Sequence, residues 1–216
     1  MRSLATTARF SGVVAATAAL LGLGTMTAGT AMAEERPIDP ADAPEIMERP
    51  WPEYEAGEKH SNIWVVSNIL TVETDDSGEP YWDEEPTDEF TDELSEAVAA
   101  YQTDEGLGDH GNIKEELWGH FSDVQFSGEA AWGPGDGRGF YTIPDTGEGV
   151  ENIQEMLINQ GHLDEDDKDG IYGQVTEEAV LDFQGEQVCG VAALSEPQCQ
   201  DGLVGVVTWR ALVTTG

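Results

Sequence analysis

The chain has 216 residues and carries 44 acidic side chains against 9 basic ones, with two cysteines and four histidines. That balance excludes a nucleic-acid binder working through a basic face, because neutralising phosphates requires clustered Lys and Arg, and it opposes docking on anionic lipid. A hydrophobic content of 39% with six Trp excludes disorder throughout.

Residues 1–33 read as a secretory signal. Arg2 and Arg9 precede an apolar stretch over Val13–Leu23, and small residues follow up to Ala31-Met32-Ala33. The apolar stretch is shorter than the ~20 residues that span a bilayer, which opposes the alternative of an uncleaved anchor. Without residues 1–33, 7 bases remain against 44 acids, a charge of 7 − 44 = −37. The expected product is exported, with no membrane segment left after cleavage. In an oxidising compartment the close pair Cys189 and Cys199 is expected to form a bridge that pins a surface loop.

Residues 34–60, rich in Pro and Glu, read as an extended, solvated lead-in. Residues 61–121 show three apolar stripes at helical spacing: Ile63, Val66, Ile69 and Leu70; then Leu94, Ala97, Val98 and Tyr101, with Thr91 placed to cap; then Ile113, Leu117, Trp118 and Phe121. Residues 122–149, rich in Gly with two Pro, read as a linker. Residues 150–216 repeat the three stripes: Val150, Ile153, Met156 and Leu157; then Val175, Ala179, Val180 and Phe183; then Val206, Trp209, Leu212 and Val213. Asp169-Gly170 and Asp201-Gly202 form turns, and Gly173 and Gly205 stand at helix starts.

The two regions correspond. Ala97-Val98 with Tyr101-Gln102 precedes Ala179-Val180 with Phe183-Gln184 by 82 residues, and Gly111 and Trp118 precede Gly202 and Trp209 by 91. Two gapped matches in one order point to duplication. The alternative is that any two amphipathic three-helix units look alike. The expected fold is all-α: two three-helix units joined by a Gly/Pro-rich linker.

The stretch from Asp169-Gly170-Ile171-Tyr172-Gly173 through Thr176 to Ala179-Val180 and Phe183-Gln184, followed by Asp201-Gly202-Leu203-Val204-Gly205 and Thr208-Trp209, resembles the peptidoglycan-binding family 1 domain. The likeness covers roughly residues 150–213. It implies a three-helix wall-binding module of the kind usually attached to a cell-wall hydrolase. Gln174 and Val206 depart from the family's Pro at the first helical position, the cysteine insertion lengthens the last turn, and the first copy lacks both Asp-Gly turns. Residues 61–121 are therefore expected to be a degenerate repeat.

Most motif residues are expected to be structural. Asp169, Gly170, Asp201 and Gly202 make turns, Phe183 and Trp209 fill the core, and Thr176 and Thr208 steady helix starts beside Gly173 and Gly205. Ligand contact is expected from an exposed aromatic and amides near turns, namely Tyr172, Gln160 and Gln184. No catalytic residue, cofactor or metal ligand is expected. His60, His110, His120 and His162 are scattered and no zinc or nucleophile signature occurs. A metal near Asp109, His110 and His120 is the weaker reading there, and Glu165–Gly170 only approaches a calcium loop, since position twelve is Thr176. The expected function is non-catalytic retention at the cell wall of a secreted protein, with peptidoglycan or muropeptides as partner. The alternative is an acidic extracellular module docking to a basic protein such as a wall hydrolase.

Overall fold

The computed structural model describes residues 36–191, 194–196 and 198–215. The targeting segment expected over residues 1–33 lies outside them. Seven α-helices and no strands are present among the described residues, so the architecture is all-α. After a short α1 (Pro44–Met47) come α2 (Ser61–Val72), α3 (Asp92–Asp104), α4 (Glu115–Ser127), α5 (Glu148–Asn159), α6 (Gln174–Phe183) and α7 (Val206–Thr215). Among the described residues no helix is long and apolar enough to cross a membrane.

Local chemistry sets these boundaries. The Thr91 hydroxyl accepts a hydrogen bond from Leu94 N at the start of α3, with Asp92 and Glu93 in its first turn. His60 Nδ1 does the same for Asn62 N at α2. Helix α4 ends at Gly128 in the left-handed conformation. Helix α6 runs on as a π turn, Gln184–Val188, into Cys189. Cys189 and Cys199 are bridged, which closes the loop before α7.

The helices share one core. Glu35–Gly216 form a single compact unit in which α2 and α5 make the most extensive helix pair. That pair carries a polar link at its buried seam, where Asn68 Nδ2 donates to Asn152 Oδ1 at 2.9 Å. Leaving the Asn68 amide and the Asn152 carbonyl oxygen unpaired there would cost about 1–3 kcal/mol for each, so the bond favours this register of one helix against the other.

Two segments depart from the expectation. The Pro/Glu-rich stretch 34–60 is not a solvated lead-in over its described residues, because Ile38, Ala43, Ile46, Trp51 and Tyr54 are buried. Trp51 stacks on Trp118 at 6.3 Å, Trp118 Nε1 donates to Pro52 O, and the Arg210 guanidinium lies 3.9 Å over the Trp51 ring. Each large apolar side chain buried this way contributes about 1.5–3 kcal/mol. Composition hid them because they are interleaved with acids and prolines at no regular period.

The stretch 122–149 is no loose spacer either. Its first six residues complete α4. Beyond them Trp132 and Tyr141 are buried, Trp132 Nε1 donates to Glu73 Oε1 at 2.7 Å, and Tyr141 pairs its backbone with Val204. Gly149 sits so close to the Trp132 carbonyl and the Tyr141 hydroxyl that a Cβ would collide with both.

Candidate functional site

The site begins with a turn held from inside. Gln154 projects from α5 and its Nε2 donates to Asp169 Oδ1 (3.0 Å), Ile171 O (3.2 Å) and Thr176 Oγ1 (3.0 Å). Its Oε1 accepts from Asp169 N (3.1 Å) and Gly170 N (2.8 Å). Gly170 takes φ 68°, which few side chains tolerate. The Asp169 carboxylate accepts from Gln154 and from Ile171 N, and these bonds hold its carboxyl below the ordinary aspartate range. One glutamine thus fastens the turn to the start of α6.

Beyond the turn the chain is briefly extended, and Ile171 bridges to Thr146. Successive side chains point opposite ways in such a stretch. Tyr172 goes in and Ile171 goes out. Tyr172 is fully buried, its hydroxyl donates to Gly202 O at 2.8 Å, and burial pushes the phenol far above its ordinary range. The expected exposed aromatic face is therefore absent. Tyr172 instead ties the first Asp-Gly turn to the second.

Gln184 is also buried, contrary to a groove role. Its Nε2 donates to Asp201 Oδ1 (2.7 Å), Leu203 O (3.0 Å) and Thr208 Oγ1 (3.0 Å), and its Oε1 accepts from Gly202 N (3.0 Å). The arrangement is that of Gln154, repeated one turn later. Phe183 and Trp209 are fully buried, and Gly173 and Gly205 directly precede α6 and α7. Asp201 makes the same bonds as Asp169, yet burial raises its pKa. Of the three residues expected to meet ligand, Gln160 borders a hollow, and its Nε2 donates to Leu212 O at 2.9 Å.

The groove lies next to the first turn. It measures about 330 Å3 and runs between the segment after α5 and the outer face of α6. Leu163, Val175 and Ala179 give it an aliphatic floor, and Asp164, Asp167, Glu178 and Asp182 stand around it. Val175 is 53% exposed and Ile171 50%, so the apolar stripe of α6 runs past the core at its N-terminal end and out to solvent. His162 closes one side, with Nδ1 2.9 Å from Asp182 Oδ2 and its ring edge-on to Phe183. Sequence reasoning missed His162 and placed Val175 with Ala179, Val180 and Phe183 on the buried apolar face of the helix. The available signal was an apolar residue at each end of Ile171-Tyr172-Gly173-Gln174-Val175 where one buried position would suffice.

No Phe, Tyr or Trp lines this groove; its one ring is the imidazole of His162. It offers aliphatic contact and carboxylate acceptors, which suit small apolar side chains and N–H donors of a peptide better than the face of a sugar ring. Among the described residues no group of three or more His, Cys, Asp or Glu side chains is placed to hold a metal ion. His110 Nδ1 accepts from Asn112 N, and His120 Nε2 lies 2.9 Å from the Tyr101 hydroxyl. The acidic turn Glu165–Asp167 is a 3-10 turn followed by Lys168, whose ammonium pairs with Glu155 at 2.7 Å and sits 4.0 Å over the Trp64 ring.

The all-α fold thus sets a glutamine-clamped turn beside an open groove with an aliphatic floor and an acidic rim. Residues 146–188 match the family model described as a putative peptidoglycan binding domain, consistent with such a domain in this segment. The matched residues span α5, the clamped turn, α6 and the π turn, and so include both walls of the groove. The match supports peptidoglycan binding in general and association with the cell wall. No curated protein and no solved structure matches the chain.

Proposed function

We propose that the chain is a secreted, non-catalytic protein retained at the cell wall, and that the groove between the 161–167 segment and α6 holds the peptide part of peptidoglycan. The observation that carries this reading is the coincidence of the family match with the groove: the matched segment supplies its whole lining, and Val175 presents an aliphatic side chain there that the core does not use. Small stem-peptide side chains would rest on Leu163, Val175 and Ala179, while the surrounding carboxylates accept from peptide N–H and ammonium groups.

Residues 61–121 are, in this reading, a degenerate copy kept as a partner. Helices α2 and α5 start and end 87 residues apart, which favours common origin. The acidic surface supports a second reading, docking to a basic wall protein, since a charge of −37 draws cationic partners over a distance. Salt separates the two. Retention of the mature chain on insoluble peptidoglycan is expected to persist or strengthen from 50 mM to 500 mM NaCl, as self-repulsion is screened. Loss of retention at every salt concentration rejects the wall reading. Capture by a basic protein that fades with salt, without retention on bare wall, favours the docking reading.

A further inference from the structure

A second hollow adjoins the groove. It measures about 290 Å3 and is lined by Asn159, Gln160, Glu186, Gln187 and Thr215, with His162 as the wall it shares with the first. The His162 side chain is only 6% exposed. Its Nδ1 lies 2.9 Å from Asp182, a wall of the first hollow, and its Nε2 lies 4.0 Å from Glu186, a wall of the second. The imidazole is therefore a partition with a largely exposed carboxylate on each side.

The two hollows differ in chemistry. The first is aliphatic below and acidic around. The second has three primary amides and one carboxylate, and no large apolar side chain. Gln160 is anchored there through Nε2 on Leu212 O and its Oε1 is buried, so Asn159 and Gln187 are the amides that face the hollow. Primary amides offer both donors and acceptors, as a peptide main chain does, and a carboxylate suits an ammonium group. Sites for ligands of this size class usually measure about 300–1,000 Å3, so the first hollow alone stands at the lower end of the range.

We infer that the two hollows form one track for an extended peptide with a free side-chain ammonium, its small apolar residues seated on Leu163 and Val175. Its next amides lie along Asn159 and Gln187, and its ammonium meets Glu186. His162 is a positioning residue that sets Asp182 and Glu186 on either side of the crossing. The inference rests on the wall-peptide reading and names the part of the ligand that extends beyond the groove.

Calorimetric titration of the mature chain with two synthetic stem peptides tests it. One peptide stops before the diamino acid and the other includes it. The longer peptide is expected to bind about tenfold more tightly, the gain typical of one charge-assisted contact. Acetylating its side-chain amine is expected to abolish that gain with the protein unaltered. Glu186→Gln is expected to reduce the longer peptide to the affinity of the shorter while leaving the shorter unchanged. An undiminished gain in Glu186→Gln, or with the acetylated peptide, overturns the track. Failure of the wild-type chain to bind either peptide overturns instead the wall-peptide reading beneath it.

Discussion

Gln102 in the first half and Gln184 in the second hold the same joint. Each accepts from the amide of a glycine with positive φ, Gly111 at 69° and Gly202 at 67°, and each donates to the carbonyl of the next residue, Asn112 or Leu203. Even the aspartate has a counterpart: His110 Nδ1 accepts from Asn112 N as Asp201 Oδ1 accepts from Leu203 N. Tyr54 bridges Ile113 as Tyr141 bridges Val204. What differs is the number of bonds to the glutamine and the residue facing solvent at the start of the helix that leads to it. Gln184 also reaches Asp201 and Thr208, where the first half has His110 and the buried Leu117. Val175, which floors the groove, corresponds to exposed Glu93. The turn geometry survives with a bare Gln-Gly pair, whereas the groove needs an apolar residue that the fold does not require.

The largest effect should come from cutting the joint itself. Gln184→Ala leaves Gly202 N, Leu203 O and Thr208 Oγ1 without their partner, while Asp201 Oδ1 keeps Leu203 N; Gln102→Ala strands two groups, Gly111 N and Asn112 O. With about 1–3 kcal/mol for each buried group left unpaired, partly relieved by relaxation, losses of about 4 and about 2 kcal/mol are expected in urea unfolding. Equal losses would mean that the additional bonds to Asp201 and Thr208 add nothing, and the comparison would fail at its first step.

A smaller effect probes the groove. Val175→Glu writes the first half's residue into the second. It is expected to lower retention on peptidoglycan by about tenfold, through lost apolar contact and an added like charge, while unfolding stability moves by less than about 0.5 kcal/mol because Val175 is outside the core. The reciprocal Glu93→Val is expected to leave retention unchanged. Unaltered retention in Val175→Glu would place the ligand elsewhere on the molecule.

Much of the helical frame was legible because its causes are local. Stripes at helical spacing marked α2 to α7, and Asp-Gly pairs marked turns whose glycines take positive φ. The pairing of Tyr101-Gln102 with Phe183-Gln184 was visible in the chain, but the meaning of the glutamines was not. An amide near a turn looks the same whether it faces a ligand or a backbone, and the partners of Gln184 lie up to 24 residues away. The direction of Tyr172 depended on the bridge from Ile171 to Thr146, a non-local pairing. His162 meets Asp182 only because α6 folds back beside it. Residues 36–54 gave no period at all, so their burial under α4 and α7 had no local signature.

The smallest effect separates the two Asp-Gly turns of the second half, which share a clamp but not an environment. Hydrogen bonds from Gln154 and Ile171 N lower the pKa of Asp169, whereas burial outweighs the equivalent bonds at Asp201 and raises its pKa. The signs are opposite. Asp169 contributes stability above its unfolded pKa and loses it as pH falls through the lower folded value. Asp201 contributes fully below its unfolded pKa and loses that contribution as pH rises through the higher folded value. Asn keeps one oxygen acceptor at either position and removes the charge. At pH 7, Asp169→Asn is therefore expected to lower Tm, and Asp201→Asn to leave it unchanged or raise it slightly. Below the carboxylate range the wild-type groups are themselves protonated, so both differences should shrink toward zero. Thermal melts of the three proteins at fixed salt, from pH 7 down to about pH 2, check this. If Asp201→Asn lowered Tm as much as Asp169→Asn at pH 7, hydrogen bonding to the ionised group would dominate at both turns, and burial would not be what distinguishes the second from the first.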